Sequence, residues 1–395
     1  MMKRSMLAVG VLAGAMFTAS LFTVGAQEGG LTTFATNTPM AGLATPTAIQ
    51  STAVAPEVTT QVVQVYEPPE CEYVEGQSTT QACLDLMAQY PDPIVDDAPK
   101  DGYSLETYSF WRVGPSATNT FDAANGNLTG QIPEGFNFVR VVGEAEGWIQ
   151  SEIGQWINKN DAYYKQPSYF SGVLLPKGWN QPFGWILDTT GIWASLTPGG
   201  ESTSESELVP LHYERYNIFA EVVDEEGWSW YMVGPNQWVK QTYMVVIKPT
   251  ARPEGVSGRW VAVDLFEQSL VAYEDDQPVF ATLISTGLPA FSTPEGLYNV
   301  WARLPRDTMS GSTGAPDAYA LQSVPWVQYF NGGISLHGTY WHDFFGYRRS
   351  HGCVNLTISD ARWVYEFLEE GGTPNEDGVI ANYVYVHSTG DYRRG

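Results

Sequence analysis

Apolar and polar residues alternate from Arg259 to Thr286, break at Glu274-Asp275-Asp276-Gln277, and resume. A period of two with a turn inside it predicts a β-hairpin. Thr293-Pro294-Glu295-Gly296 predicts a turn ahead of a strand over residues 297–303. Residues 304–324 are rich in Gly, Ser, Pro and Asp and predict a long loop of the kind that serves as a lid. Trp326 to Phe330, a turn at Asn331-Gly332-Gly333 and the run ISLHG predict a second hairpin. In that run Ile334 and Leu336 share one face, and Ser335 and His337 the other. The period then becomes helical. Thr357-Ile-Ser-Asp360 resembles a capping box, Ala361, Val364, Tyr365 and Leu368 recur at helical spacing, and Gly371 is a natural stop. Residues 379–386 predict a closing strand, and 388–395 a frayed tail.

Upstream lies an internal repeat. FVRVVGEAEGWIQSEIGQWI (138–157) and IFAEVVDEEGWSWYMVGPNQWV (218–239) each carry a β-rich run, Glu-Gly-Trp, then Gly and Gln-Trp. Trp148 matches Trp228, and Trp156 matches Trp238. Short strands joined by Gly turns predict two small hairpin-built barrels. The repeat resembles bacterial SH3-like domains. Its tryptophans fit a packed core or a wall-ligand groove, and the sequence alone leaves both open. Residues 248–257 predict a joint between these barrels and the C-terminal third of the chain.

Composition narrows the setting. The chain has 395 residues, and 14 Trp, 22 Tyr, 39 Gly and 25 Pro favour strands and turns over helical bundles. A net charge of −24 repels phosphate backbones and argues against a nucleic-acid partner. Residues 1–26 read as a signal peptide, with Lys3 and Arg4 ahead of an apolar run and small residues up to Ala26. If it is left uncleaved, the same run is long enough for a membrane anchor. Residues 27–100 read as a Thr/Pro/Ala-rich linker ending in a small loop-rich extension around Cys71 and Cys83. In an oxidising compartment that pair reads as a disulfide, with two free thiols as the alternative. The barrels occupy 101–165 and 166–250, and a third unit 255–388.

Cys353 is then the odd thiol. It needs a base to act as a nucleophile near neutral pH. His351 stands two residues away but is constrained by backbone. His337 ends a strand, and meets the thiol as a thiolate–imidazolium pair if the intervening loop folds back. The amides of Gly352 and Cys353 can point at an oxyanion, and Asn355 can brace the turn. Arg348 and Arg349 fit stabilisation of a thiolate, a substrate carboxylate, or a solvated loop. His342 reads as a surface residue. The local chemistry is acyl transfer through a thioester. No metal-ligand cluster stands out, and no cofactor is called for.

His337-Gly338 followed by Ser350-His351-Gly352-Cys353-Val354-Asn355 resembles the signature of the L,D-transpeptidase (YkuD) family. Ser285-Thr286-Gly287 and Thr293-Pro294-x-Gly296 extend the resemblance, which covers about a third of the chain. It implies a mainly β fold: a sandwich or barrel catalytic domain with one main helix, preceded here by the two SH3-like barrels. It implies Cys353 as nucleophile and His337 as general base, with the Gly338 carbonyl orienting the imidazole. His351, Gly352 and the Cys353 amide fall on the oxyanion side, and Ser350 and Asn355 are supports. Tyr319, Trp341 and Arg349 are candidates for substrate contact. The implied partners are donor and acceptor stem peptides of peptidoglycan, joined by 3→3 cross-links. Hydrolysis of tetrapeptide stems, or wall binding with a vestigial enzyme domain, are the alternatives. The implied location is outside the cytoplasm, at the wall or cell surface.

Overall fold

The hydrophobic run from Trp260 to Leu283 becomes the centre of a seven-stranded sheet. In a computed structural model that describes residues 68–392 apart from 115, 188–190, 313–316, 375–377 and 379, its order is 96–97, 173–174, 277–283, 269–274, 259–264, 383–387, 296–299. The signal-like segment 1–26, and the linker up to residue 67, lie outside the described residues. Arg259–Asp264, Ser269–Glu274 and Gln277–Leu283 are antiparallel neighbours, and Tyr383–His387 joins in parallel. Alternation suggested one buried face, but both faces are covered. Val261, Val263, Leu270 and Ala272 pack under the helix Ile358–Glu369 with Val364 and Leu368. Trp260, Ala262, Val271 and Tyr273 pack against Phe183, Trp185, Val245 and Ile247 of the second repeat. Strands buried on both sides carry near-continuous apolar runs.

The two repeats follow the same strand circuit. In the first, Ser109–Val113 pairs with both Phe136–Ala145 and Ala162–Lys165, and the chain runs on through Trp148–Ser151 and Trp156–Asn158. In the second, Phe183–Ile186 pairs with Arg215–Asn217 and Met244–Val246, beside Ala220–Val223, Ser229–Gly234 and Gln237–Lys240. Gly147 and Gly227, at the two Glu-Gly-Trp steps, have φ of +75° and +80°, which glycine adopts without cost. Residues 166–182 belong to neither circuit. They return to the seven-stranded sheet through Val173–Leu174. Trp148 and Trp238 are buried, and Trp156 and Trp228 half-buried.

Three expectations are corrected. The predicted loop over 304–324 is largely a long hairpin, Ala302–Gly311 against Tyr319–Asn331. None of its first strand is buried, so hydrophobic periodicity is weak, and Ser323 and Trp326 take positive φ at irregular points of the second. The extension around Cys71 and Cys83 carries a helix, Gln81–Gln89, capped by Thr80, and the two cysteines are disulfide-bonded. They pack on Trp230 and Trp238. The tail is docked as far as Tyr392. Thr389 donates its hydroxyl to Asp264, and the Tyr392 hydroxyl accepts the Arg348 N–H at 3.1 Å.

The helix after the motif is capped on one side only. Thr357 Oγ1 accepts the Asp360 N–H at 3.1 Å. The Asp360 carboxylate accepts instead from Gly172 N at 2.8 Å and Thr282 Oγ1 at 2.6 Å. It thereby ties the segment between the repeats to the sheet.

Candidate active site

Alternation along Ile334–Gly338 places Leu336 in the core and leaves Ser335 and His337 facing away from it. Val354–Leu356 pairs in parallel with that strand, Leu336 opposite Val354 and His337 opposite Asn355. This register sets Cys353 beside Ser335, with its sulfur 3.7 Å from Ser335 Oγ and 3.8 Å from Gly333 O. His337 is 2% exposed, and its Nδ1 lies 3.2 Å from Gly338 O. Carbonyl oxygen only accepts, so Nδ1 carries the proton and Nε2 keeps its lone pair. Gly338 is required for close packing, since a Cβ there would meet Pro325 Cγ at 2.8 Å.

The charge state departs from the expected ion pair. Burial pushes the His337 imidazole down to about 4 and the Cys353 thiol upward, with Ser335 partly offsetting the latter. Among the described residues the sulfur's hydrogen-bond partners are Ser335 and Gly333, not His337. The free site therefore holds a neutral thiol and a neutral base.

The turn before Cys353 is held by hydroxyls. Ser350 Oγ donates to Cys353 O and accepts the Gly352 N–H at 3.0 Å. Thr293 Oγ1 donates to Gly352 O at 2.8 Å and accepts the Gly287 N–H at 3.0 Å. The Gly352 amide is thus committed to Ser350 and is not available to an oxyanion as expected, which leaves the Cys353 amide as the nearer candidate. Gly352 has φ of +119°, so glycine is needed there for conformation.

Asn355 braces a different neighbour from the one expected. Its side-chain amide meets His342 Nε2 at 3.0 Å, and its backbone pairs with Ser285 in both directions. His342 is half-buried, not a surface residue, and its Nδ1 accepts the Phe344 N–H at 3.3 Å. The neutral ring then has its proton on Nε2, which asks for an acceptor. The Asn355 oxygen is otherwise buried without a partner. Turning the amide so that Oδ1 accepts from Nε2–H satisfies both groups. Burial pushes His342 down to about 3, aided by Arg349, His337 and Lys165.

The remaining expected residues divide. Tyr319 is half-buried, burial raises its hydroxyl, and its ring lies 5.3 Å from that of His351. The His351 ring is exposed between Phe291 at 4.5 Å and Tyr319 at 5.3 Å, with Nε2 3.5 Å from Asp317 Oδ2. Its side chain therefore lines the mouth. Trp341 lies 5.6 Å from the His337 ring and 4.9 Å from Tyr340, walling the base. Arg349 is exposed over Phe344 at 4.6 Å, whereas Arg348 turns away to Tyr392 at 4.4 Å. Ser335 and His342 are contributors that motif spacing does not announce; only the alternation of Ile334–Gly338 points to Ser335, whereas Thr293 opens the Thr-Pro-x-Gly run. Among the described residues no group of three or more His, Cys, Asp or Glu is placed to hold a metal ion.

Residues 258–376 match the model of the L,D-transpeptidase catalytic domain, YkuD. A putative L,D-transpeptidase, YciB, of Bacillus subtilis strain 168 is 28% identical over 125 residues, covering 28% of this chain and 61% of that protein. Among solved structures, an L,D-transpeptidase from Stackebrandtia nassauensis is 28% identical, covering 37% of this chain and 60% of its own, with a TM-score of 0.27. An L,D-transpeptidase of Enterococcus faecium is 22% identical, with coverages of 36% and 55% and a TM-score of 0.28. The chain spans about three-fifths of the length of the first two relatives.

Proposed function

We propose that residues 258–376, which match the L,D-transpeptidase catalytic domain model, cross-link peptidoglycan stem peptides through a thioester on Cys353. The observation that carries the reading is the parallel register of Ile334–Gly338 with Val354–Leu356. It sets a thiol and a buried base with a free Nε2 on one face.

In the first half-reaction, His337 Nε2 takes the Cys353 proton as the sulfur attacks the carbonyl of the third, diamino residue of a tetrapeptide stem. The C–S bond forms, the C–N bond to the terminal D-alanine breaks, and His337 returns the proton to the departing amine. In the second, the side-chain amine of another stem attacks the thioester. A new C–N bond forms, the C–S bond breaks, and a proton passes back to the sulfur through His337. The product is a 3→3 cross-link, and water as acceptor would instead give hydrolysis. The Cys353 amide faces the developing oxyanion. Because thiol and imidazole are both neutral at rest, proton transfer belongs to the attack itself. The test is full-length protein with disaccharide-tetrapeptide stems, followed by mass spectrometry. Dimers are expected; tripeptides alone would overturn the transpeptidase reading in favour of a carboxypeptidase. Retained activity in Cys353→Ala would overturn the mechanism.

The proposed location is outside the cytoplasm at the cell wall, and the proposed role of the SH3-like repeats is to hold the enzyme on its polymer. A groove of about 1040 Å³ on the second repeat supports this, with Tyr73, Trp193, Trp230 and Trp238 beside Asp224 and Glu225. Co-sedimentation of the full chain with purified sacculi is expected to weaken in Trp193→Ala; unchanged retention would remove the groove from the account.

A further inference from the structure

The chain carries 44 acidic side chains against 20 basic ones, so carboxylates outnumber the cations. Lys165 and Arg349 are two of those cations. Neither makes an ion pair among the described residues, and the Arg349 guanidinium rests on the Phe344 ring with its N–H edge open. They come from distant parts of the chain. Arg349 lies in the turn that leads to Cys353, whereas Lys165 ends the last strand of the first repeat.

The strand register brings them toward one place. Lys165 is directly opposite Phe110, so the two side chains share a sheet face. Phe110 stacks on Tyr340 with ring centroids 3.8 Å apart and planes 6° apart. Tyr340 leads directly into Trp341, which walls His337, and into His342, which holds Asn355. His342 feels both cations: Arg349 and Lys165 each help to hold its imidazole neutral. Both charges therefore act on the histidine that holds Asn355, two residues beyond Cys353.

We propose that Lys165 of the first repeat and Arg349 form a cationic rim beside Cys353 that binds a carboxylate of the peptide substrate. Two neighbouring cations select an anionic group and raise its local concentration. Within the acyl-transfer reading, on which this assignment of substrate rests, the group is the free carboxylate that ends the donor stem. The first repeat then supplies part of the substrate site.

The test separates this rim from the reaction it serves. Cys353 is the free cysteine among the described residues, and Cys71 and Cys83 are bonded to each other, so alkylation can be followed by intact mass. Iodoacetate and iodoacetamide differ chiefly in charge. Their rate ratio at Cys353 therefore reads the local field whether or not the protein turns over stem peptides. In the full-length chain, Lys165→Ala with Arg349→Ala is expected to lower the iodoacetate-to-iodoacetamide ratio about threefold to tenfold, and Lys165→Arg to keep it near wild type. Raising the salt is expected to shrink the wild-type ratio in the same direction. With stems, the single variants are expected to raise KM more than they lower kcat when the donor carboxylate is free, and to lose that effect when it is amidated. A ratio unmoved by the double substitution, or a Lys165→Arg protein that behaves like Lys165→Ala, overturns the rim. If the ratio moves while the wild type leaves every stem intact, the rim stands and the proposed reaction falls.

Discussion

At the scale of single residues, the proposed chemistry turns on a base that burial keeps neutral. With His337 near 4, kcat/KM is expected to keep its value well below the ordinary histidine range and to fall only as pH approaches about 4. A profile with its acid limb near 6.5 would place the working base elsewhere. His337→Gln is expected to lower turnover by about 10²–10⁴-fold and Cys353→Ser by more, measured on stem peptides. The proposed nucleophile and base stand out in the sequence because Cys and His are scarce and because the period of two in ISLHG sets His337 on the polar face. The use made of neighbouring groups was not legible. That Ser350 takes the Gly352 amide, and that Asn355 serves His342 and not the turn, depend on hydroxyl and ring positions that only the folded loop decides.

At the scale of elements, Asp360 and Glu152 work between segments that motif reading keeps apart. Asp360 is fully buried, and burial raises its carboxyl to about 6. A raised acid favours the folded state more as pH falls through that value toward the ordinary carboxylate range. The depressed imidazoles of His337 and His342 act the other way, withdrawing stability as pH falls from the ordinary histidine value toward 4 and 3. Thermal denaturation between pH 7 and 4.5 is therefore expected to show Tm falling in the wild type and falling more steeply in Asp360→Asn. Equal slopes would mean that Asp360 does not titrate in that window. Glu152, in the first repeat, accepts from Ser323 Oγ at 2.6 Å and pairs with Arg140 at 3.2 Å. One step away, Phe136–Ala145 pairs in parallel with the Tyr319 strand, Tyr319 opposite Phe136. Glu152→Ala is expected to speed hydrogen exchange in residues 319–323, with Glu152→Gln close to wild type because its amide oxygen can still accept. The helix and the hairpins with buried faces were readable from period alone. Ala302–Gly311 was not, because none of its residues is buried and they carry no periodic signal.

At the scale of the whole molecule, the described chain from 96 onward is tied together by sheets. The first repeat extends the active-site sheet, and the second covers the outer face of the seven-stranded one. Residues 250–395 alone would expose Trp260, Tyr273 and the free edge of Tyr319–Asn331, surfaces that drive edge-to-edge association. That fragment is expected to be aggregation-prone by light scattering where the full chain is monodisperse; a stable, monodisperse fragment would show that the repeats are dispensable for folding. The Cys71–Cys83 bond closes a short loop, and its loss is expected to cost about 3 kcal/mol in denaturant unfolding. Domain borders drawn from composition fell near 166 and 250, yet the chain crosses them with hydrogen-bonded strands. Such crossings join residues far apart in sequence, which no local pattern encodes.

Asp101 shows what this connectivity means for the order in which the protein takes shape. Its backbone N–H donates to Ser359 Oγ at 3.0 Å, and its carboxylate receives Trp326 Nε1 and Arg362 Nη1, each at 2.9 Å. These partners are made 225 to 261 residues later. A chain that emerges N-terminus first therefore presents a buried acid, two strand edges and the underside of the second repeat long before their counterparts exist. Contacts of such long sequence separation close slowly, because loop entropy must be overcome before they form. The nascent repeats thus depend on the final hundred residues, and premature release of the chain would yield no partial enzyme.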